Sequence, residues 1–68
     1  MTNFELLKAE MDRTHIPVSV IASLAGIERA TLYNRLNGKG EFKASEIDGL
    51  TKVLKLTKAK RDAIFFAR

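Results

Sequence analysis

Val18-Ser19-Val20-Ile21-Ala22-Ser23-Leu24-Ala25-Gly26-Ile27-Glu28-Arg29-Ala30-Thr31-Leu32-Tyr33-Asn34-Arg35-Leu36 is the stretch around which the rest of the chain is arranged. It reads as two short helices on either side of a tight turn at Gly26, where a left-handed backbone suits glycine. Ala22 lies four residues ahead of the glycine and is small enough for the next helix to cross closely. Ala25 and Ile27 flank the glycine and are expected to point inward. Leu32 follows six residues after it, and Leu36 one turn later. An Ala-x-x-x-Gly core with apolar residues at these offsets is the pattern of a helix-turn-helix.

The flanking segments also read as helices. Thr2 or Asn3 caps a first helix, and Thr2 with Glu5 has capping-box spacing. Phe4, Leu7 and Met11 recur at helical steps and give that helix one apolar face. It is expected to fade near Thr14, because residues before Pro17 disfavour helix. Pro17 suits the first turn of the second helix, which should run to Ala25. The third helix is expected from Glu28 to Leu36 and the loop at Asn37-Gly38-Lys39-Gly40. Phe42 should return the chain to the core. A fourth helix spans Ala44 to Leu54, with Ile47, Leu50, Val53 and Leu54 on its apolar face. Gly49 inside it costs about 1 kcal/mol against alanine, so a close helix contact is expected there. Thr57 is a good cap for a last segment, Lys58 to Phe66, basic at its start and apolar at Ile64, Phe65 and Phe66. No strand is expected. The reading is an all-α, five-helix single domain over residues 1–68, with the helix-turn-helix at helices 2 and 3.

Composition bounds the function. The chain has 68 residues and no cysteine, so it has neither a disulfide framework nor a thiolate metal site. No cofactor is expected. No apolar run approaches the roughly 18–20 residues of a membrane span. Glu5 and Glu10, with no small-residue cleavage site, argue against a secretory signal and for the cytoplasm. The net charge of +4 is uneven: residues 1–26 sum to −1 and residues 27–68 to +5. The basic part begins where the second helix of the motif begins, which suits a polyanion.

The layout resembles that of the Cro/CI-like (XRE-type) DNA-binding domains of phages, and more closely a group of small proteins of Gram-positive phages and prophages. The residues that carry the resemblance are Ile21-Ala22, Leu24-Ala25-Gly26-Ile27, Thr31-Leu32-Tyr33, Leu36-Asn37-Gly38-Lys39, Glu41-Phe42, Ser45-Glu46-Ile47 and Ala63-Ile64-Phe65-Phe66-Ala67. It covers nearly the whole chain. It implies a lambda-repressor-like fold and a transcriptional regulator of a lysogeny switch in a bacterial host. Three positions depart from the pattern. Val18 and Ser19 replace the usual Gln or Thr at the start of the second helix. Glu28 replaces the Ser or Thr cap of the third. Arg35 stands where an apolar residue is common.

On the third helix, Leu32 and Leu36 define the inward side. Ala30, Tyr33, Asn34 and Asn37 point the other way, with Arg29 at one edge. Arginine can donate twice to guanine O6 and N7, and asparagine can pair with adenine N6 and N7. Ala30 can touch a thymine methyl, and Tyr33 can stack on sugar. Glu28 either complements the helix dipole or accepts from cytosine N4. Arg35 is expected to lay its stem along the core edge and send its guanidinium to solvent or phosphate. Lys39 and Lys43, beside the glycine loop, are expected on phosphate. Ser19 offers its hydroxyl and free amides to another.

Double-stranded DNA is therefore the expected partner, an operator read as a palindrome by a homodimer. No enzyme is expected: His15 is the only histidine, and nothing supplies a nucleophile or an oxyanion site. The alternative is a protein-interaction module on the same fold that modulates a phage repressor. Val20 and Leu24, four apart on the second helix, favour it if exposed, although packing under the first or last helix is the expected outcome. The tail residues Ile64, Phe65 and Phe66 cannot share one buried face. Part of the tail should enter the core and part meet a partner, unless both phenylalanines close the core beside Phe4 and Leu50.

Overall fold

Asn3, rather than Thr2, starts the first helix: its side-chain oxygen accepts from the Leu6 amide at 3.0 Å. The computed structural model describes residues 1–67. In chain order its helices are α1 (Phe4–Thr14), α2 (Val18–Ala25), α3 (Arg29–Leu36), α4 (Ala44–Val53) and α5 (Lys58–Phe65). There is no strand among the described residues. Each boundary lies within one residue of its expected position. Thr57 caps α5 as expected, accepting from the Lys60 amide at 3.1 Å. Before α2 the Pro17 carbonyl accepts from the Val20 and Ile21 amides, each at 3.0 Å. Proline lacks an N–H, so nothing is left unpaired at that residue. No helix is long and apolar enough to cross a membrane.

Gly26 closes α2 in the left-handed conformation, at φ 73°. The Ile27 amide then reaches back to the Ala22 carbonyl at 2.9 Å, which pairs one of the last free carbonyls of the helix. Ile27 turns inward and is buried. The fully buried side chains are Leu7, Ile21, Leu32, Leu50, Leu54 and Ile64. Every helix thus contributes at least one side chain to, or directly beside, a common core. Phe42 returns to that core as expected, with its ring edge-on to Phe65 at a centroid separation of 5.3 Å.

The α2–α4 seam is the tightest in the fold. A Cβ built on Gly49 would collide with the Ala25 carbonyl oxygen and lie 3.2 Å from its carbon. The expected close contact at Gly49 is therefore present, and it is between two backbones. On the other side of the core, α1 and α5 are tied at both ends. The Asn3 amide donates to the Ile64 carbonyl at 2.6 Å. Glu10, only 6% exposed, accepts from Lys60 Nζ at 3.0 Å and from Arg13 at 3.2 Å. Arg13 also donates to the Leu54 carbonyl at 3.3 Å, which brings in the end of α4.

The Lys60 hydrogen bond, aided by Arg13, holds the Glu10 carboxyl below its ordinary value of 4.5, against the opposing effect of burial. A carboxyl with a depressed folded pKa stabilises the fold above its unfolded value. That contribution is lost as pH falls through the folded value. Glu10→Gln should therefore cost about 1 kcal/mol at neutral pH, modest because Lys60 and Arg13 are half-exposed. The variant should also lose less stability than wild type on acidification below pH 4.5. Urea midpoints measured from pH 7 to pH 2 check this; parallel curves for the two proteins would count against it.

One expectation fails, and one alternative is set aside. Val20 and Leu24 do not pack under the first or last helix; they are 43% and 63% exposed. Ile21 and Ala22 both face the core, and at 100° per residue Val20 and Leu24 lie about 150° and about 110° from the middle of that buried face. The alternative set aside is that both phenylalanines close the core: only part of the tail enters it, as expected. Ile64 and Phe65 are buried, whereas Phe66, just past the end of α5, is 55% exposed.

Candidate nucleic-acid interface

The 100° step along α3 sorts its side chains. Leu32 is fully buried and Leu36 nearly so, which turns Arg29, Ala30, Tyr33 and Asn34 outward. All four are exposed, as is Asn37 at the end of the helix. The Arg29 guanidinium lies 5.6 Å from the centroid of the Tyr33 ring, one turn along. Such a pair is worth about 0.5–1 kcal/mol at an exposed site. It holds two of the outward side chains against each other before any ligand arrives.

The loop after α3 is folded back onto the last turn of the helix. The Asn34 carbonyl accepts from the Asn37 amide at 3.1 Å and from the Lys39 amide at 2.8 Å. Gly38 and Gly40 adopt φ of 79° and 78°, a region that glycine enters without strain. The Asn34 side chain has no hydrogen-bond partner among the described residues.

Arg35 corrects the reading of the sequence. Its guanidinium does not go to solvent or phosphate. Nε donates to Glu46 Oε1 at 3.2 Å, and Nη1 donates to the Lys39 carbonyl at 3.4 Å. The side chain is only 16% exposed and its partner only 11%. A Cβ on Gly40 would lie 2.5 Å from Nη1, so the glycine makes room for the arginine. Glu46 Oε1 also accepts from the Lys43 amide at 2.9 Å. One carboxylate thus joins the end of α3, the loop and the start of α4. Glu46 was not recognisable in the sequence as part of this region. Its place in the first turn of α4 suggests a capping role, but nothing local indicates an arginine eleven residues earlier.

The inward commitment of Arg35 leaves a defined set of cations outside. Arg29, Lys39 and Lys43 are exposed and have no carboxylate partner among the described residues. Glu28 sits at the N-cap of α3, exposed, with no capping bond from its side chain. Ser19 is exposed in the first turn of α2, at the end of that helix away from Gly26. All nine candidate residues are thus on the surface. Glu28, Arg29, Ala30, Tyr33, Asn34 and Asn37 are brought together on one helix and its two caps. Lys39 and Lys43 lie in and beside the loop that follows. Ser19 stands apart on α2.

Such a surface can donate hydrogen bonds to flat heterocyclic edges from Arg29 and Asn34, and supply positive charge at one end from the lysines. No family model matches the chain, and no curated protein or solved structure matches it either.

Proposed function

We propose that this chain is a sequence-specific DNA-binding regulator of transcription, a Cro/repressor-type protein of a phage or prophage acting in the bacterial cytoplasm. In this reading α2 and α3 are the helix-turn-helix of a lambda-repressor-like domain, and α3 enters the major groove. The observation that carries it is the outward face of α3. Arg29, Tyr33 and Asn34 stand exposed there, while Arg35, on the same helix, is drawn inward to Glu46. Arg29 and Asn34 read base edges, Ala30 meets a thymine methyl, and Tyr33 packs on sugar. Asn37, Lys39, Lys43 and Ser19 hold the backbone. A homodimer would read two half-sites about one helical turn apart.

Selection of bound sequences from random duplexes tests the proposal. Recovery of a two-fold symmetric site is the expected result; no enrichment over the starting pool would end it. Lys39→Ala and Lys43→Ala should weaken binding to all sequences alike, and each should reduce the slope of log affinity against log salt by about one. Titrations at several salt concentrations measure this. An unchanged slope takes the lysine off the phosphates.

A second reading has one observation in its favour. Val20 and Leu24 form an exposed apolar strip on α2, which suits a protein-interaction module that binds a phage repressor. Retention on DNA that falls with rising salt separates the two. A chain that ignores duplex DNA at low salt but binds a repressor is the interaction module.

A further inference from the structure

One ion pair holds the main chain of both exposed loop lysines. Arg35 Nη1 donates to the Lys39 carbonyl, and the Lys43 amide donates to Glu46 Oε1 at 2.9 Å. Arg35 Nε closes the link by donating to that same oxygen. Between the lysines, Gly40, Glu41 and Phe42 make no main-chain to main-chain hydrogen bond among the described residues. The pair is therefore the polar clasp of this part of the loop.

Capping alone does not explain the arginine. Glu46 can serve the Lys43 amide without it. Drawing a guanidinium inward costs hydration, and a pair as covered as this one adds little net stability. What the arginine adds is registration. It stands on α3, next to Asn34, whereas Glu46 stands on α4 three residues before Gly49. The contact between Gly49 and Ala25 in turn sets α4 against α2. The two lysines are thus referred to both α2 and α3. As a unit the pair is neutral, so it contributes almost nothing to the field that a distant polyanion meets. Its effect on such a ligand passes through the lysines.

We infer that Arg35 and Glu46 are positioning residues: without touching DNA, they hold Lys39 and Lys43 in register with the Arg29 and Asn34 face of α3. The inference rests on the proposed DNA reading. Ordering the loop in advance removes a cost that binding would otherwise carry. The test is the double substitution Arg35→Met with Glu46→Gln. It removes one charge of each sign, leaves no lone charge behind and keeps an acceptor for the Lys43 amide. Affinity for selected and random duplexes should fall together, by about three- to tenfold, with discrimination between them kept. The slope of log affinity against log salt should fall although both lysines are present. In this background the fold-loss caused by Lys39→Ala should shrink about threefold, because the two changes remove the same contact. Backbone order parameters of residues 39–43 in the free protein should also drop while those of α3 hold.

A folded double variant with the wild-type salt slope overturns the inference and leaves the DNA reading standing. So does a loss confined to selected duplexes. A wild type that ignores duplex DNA at low salt overturns the DNA reading and this inference with it. If the double variant does not fold, Arg35→Lys decides. It keeps a positive charge opposite Glu46 but has one ammonium in place of a two-armed fork, so Lys39 is released and the slope should still fall. An unchanged slope there overturns the inference.

Discussion

Gly49→Ala should destabilise the fold by about 2–3 kcal/mol, although helix propensity alone would make it stabilising by about 1 kcal/mol. The reversal comes from the α2–α4 seam, where the new methyl would meet the Ala25 carbonyl oxygen, with the Ala25 Cα at 3.3 Å. A flexible side chain could swing aside; a carbonyl within a helix cannot, so α2 or α4 must move as a body. α2 also carries Ile21 and Ala22, which are packed in the core. Such a shift therefore loosens contacts beyond the seam. In a domain of this size the loss corresponds to a fall in melting temperature of roughly 10–20 °C. Thermal and urea unfolding measure it. Equal or greater stability in the variant would show that the helices separate at little cost and that the seam does not limit their approach.

The second large effect concerns sequence discrimination, and rests on the proposed DNA reading. Asn34→Ala and Arg29→Ala should each lose about 1–3 kcal/mol on the selected site while leaving affinity for random duplexes nearly unchanged. Asn34 is the cleaner case. Its side chain has no protein partner among the described residues, so truncation disturbs nothing in the free protein beyond the helix surface. Arg29 also loses its contact with the Tyr33 ring, which leaves Tyr33 less ordered. Its variant should therefore be the weaker binder of the two if both residues read bases. Parallel titrations on specific and random DNA at one salt concentration give the ratio. Equal loss on both would mean that the side chains touch only backbone.

What could be read from the sequence was what short spacing controls. The turn at Gly26, the cap at Thr57 and the inward leucines follow from residues within a turn or two of one another, whereas the choice of Asn3 over Thr2 as the first cap did not. Gly49 was legible too, because a glycine kept inside a helix against its propensity implies something close by. The features that escaped are long-range. Glu10 and Lys60 are fifty residues apart, and their pairing depends on how α1 lies along α5. The inward turn of Arg35 depends on where α4 delivers Glu46, and that depends on a loop whose path is set by two left-handed glycines. Periodicity could exclude a single face for Ile64, Phe65 and Phe66 but could not say which would be left outside. The register of α2 turns Val20 and Leu24 away from the middle of the Ile21–Ala22 face; only the placement of the other helices showed that they stay exposed.

The hydrogen bond from the Asn3 amide to the Ile64 carbonyl lays the opening of α1 beside the end of α5. The path of the described chain is thus almost a ring, and the packing of its helices is separable from the order in which they are strung. A few linking residues could join the two ends, with the break moved to an exposed loop between other helices. α2, its turn and α3 would pass through that rearrangement as one uninterrupted piece, which makes the fold a natural subject for circular permutation.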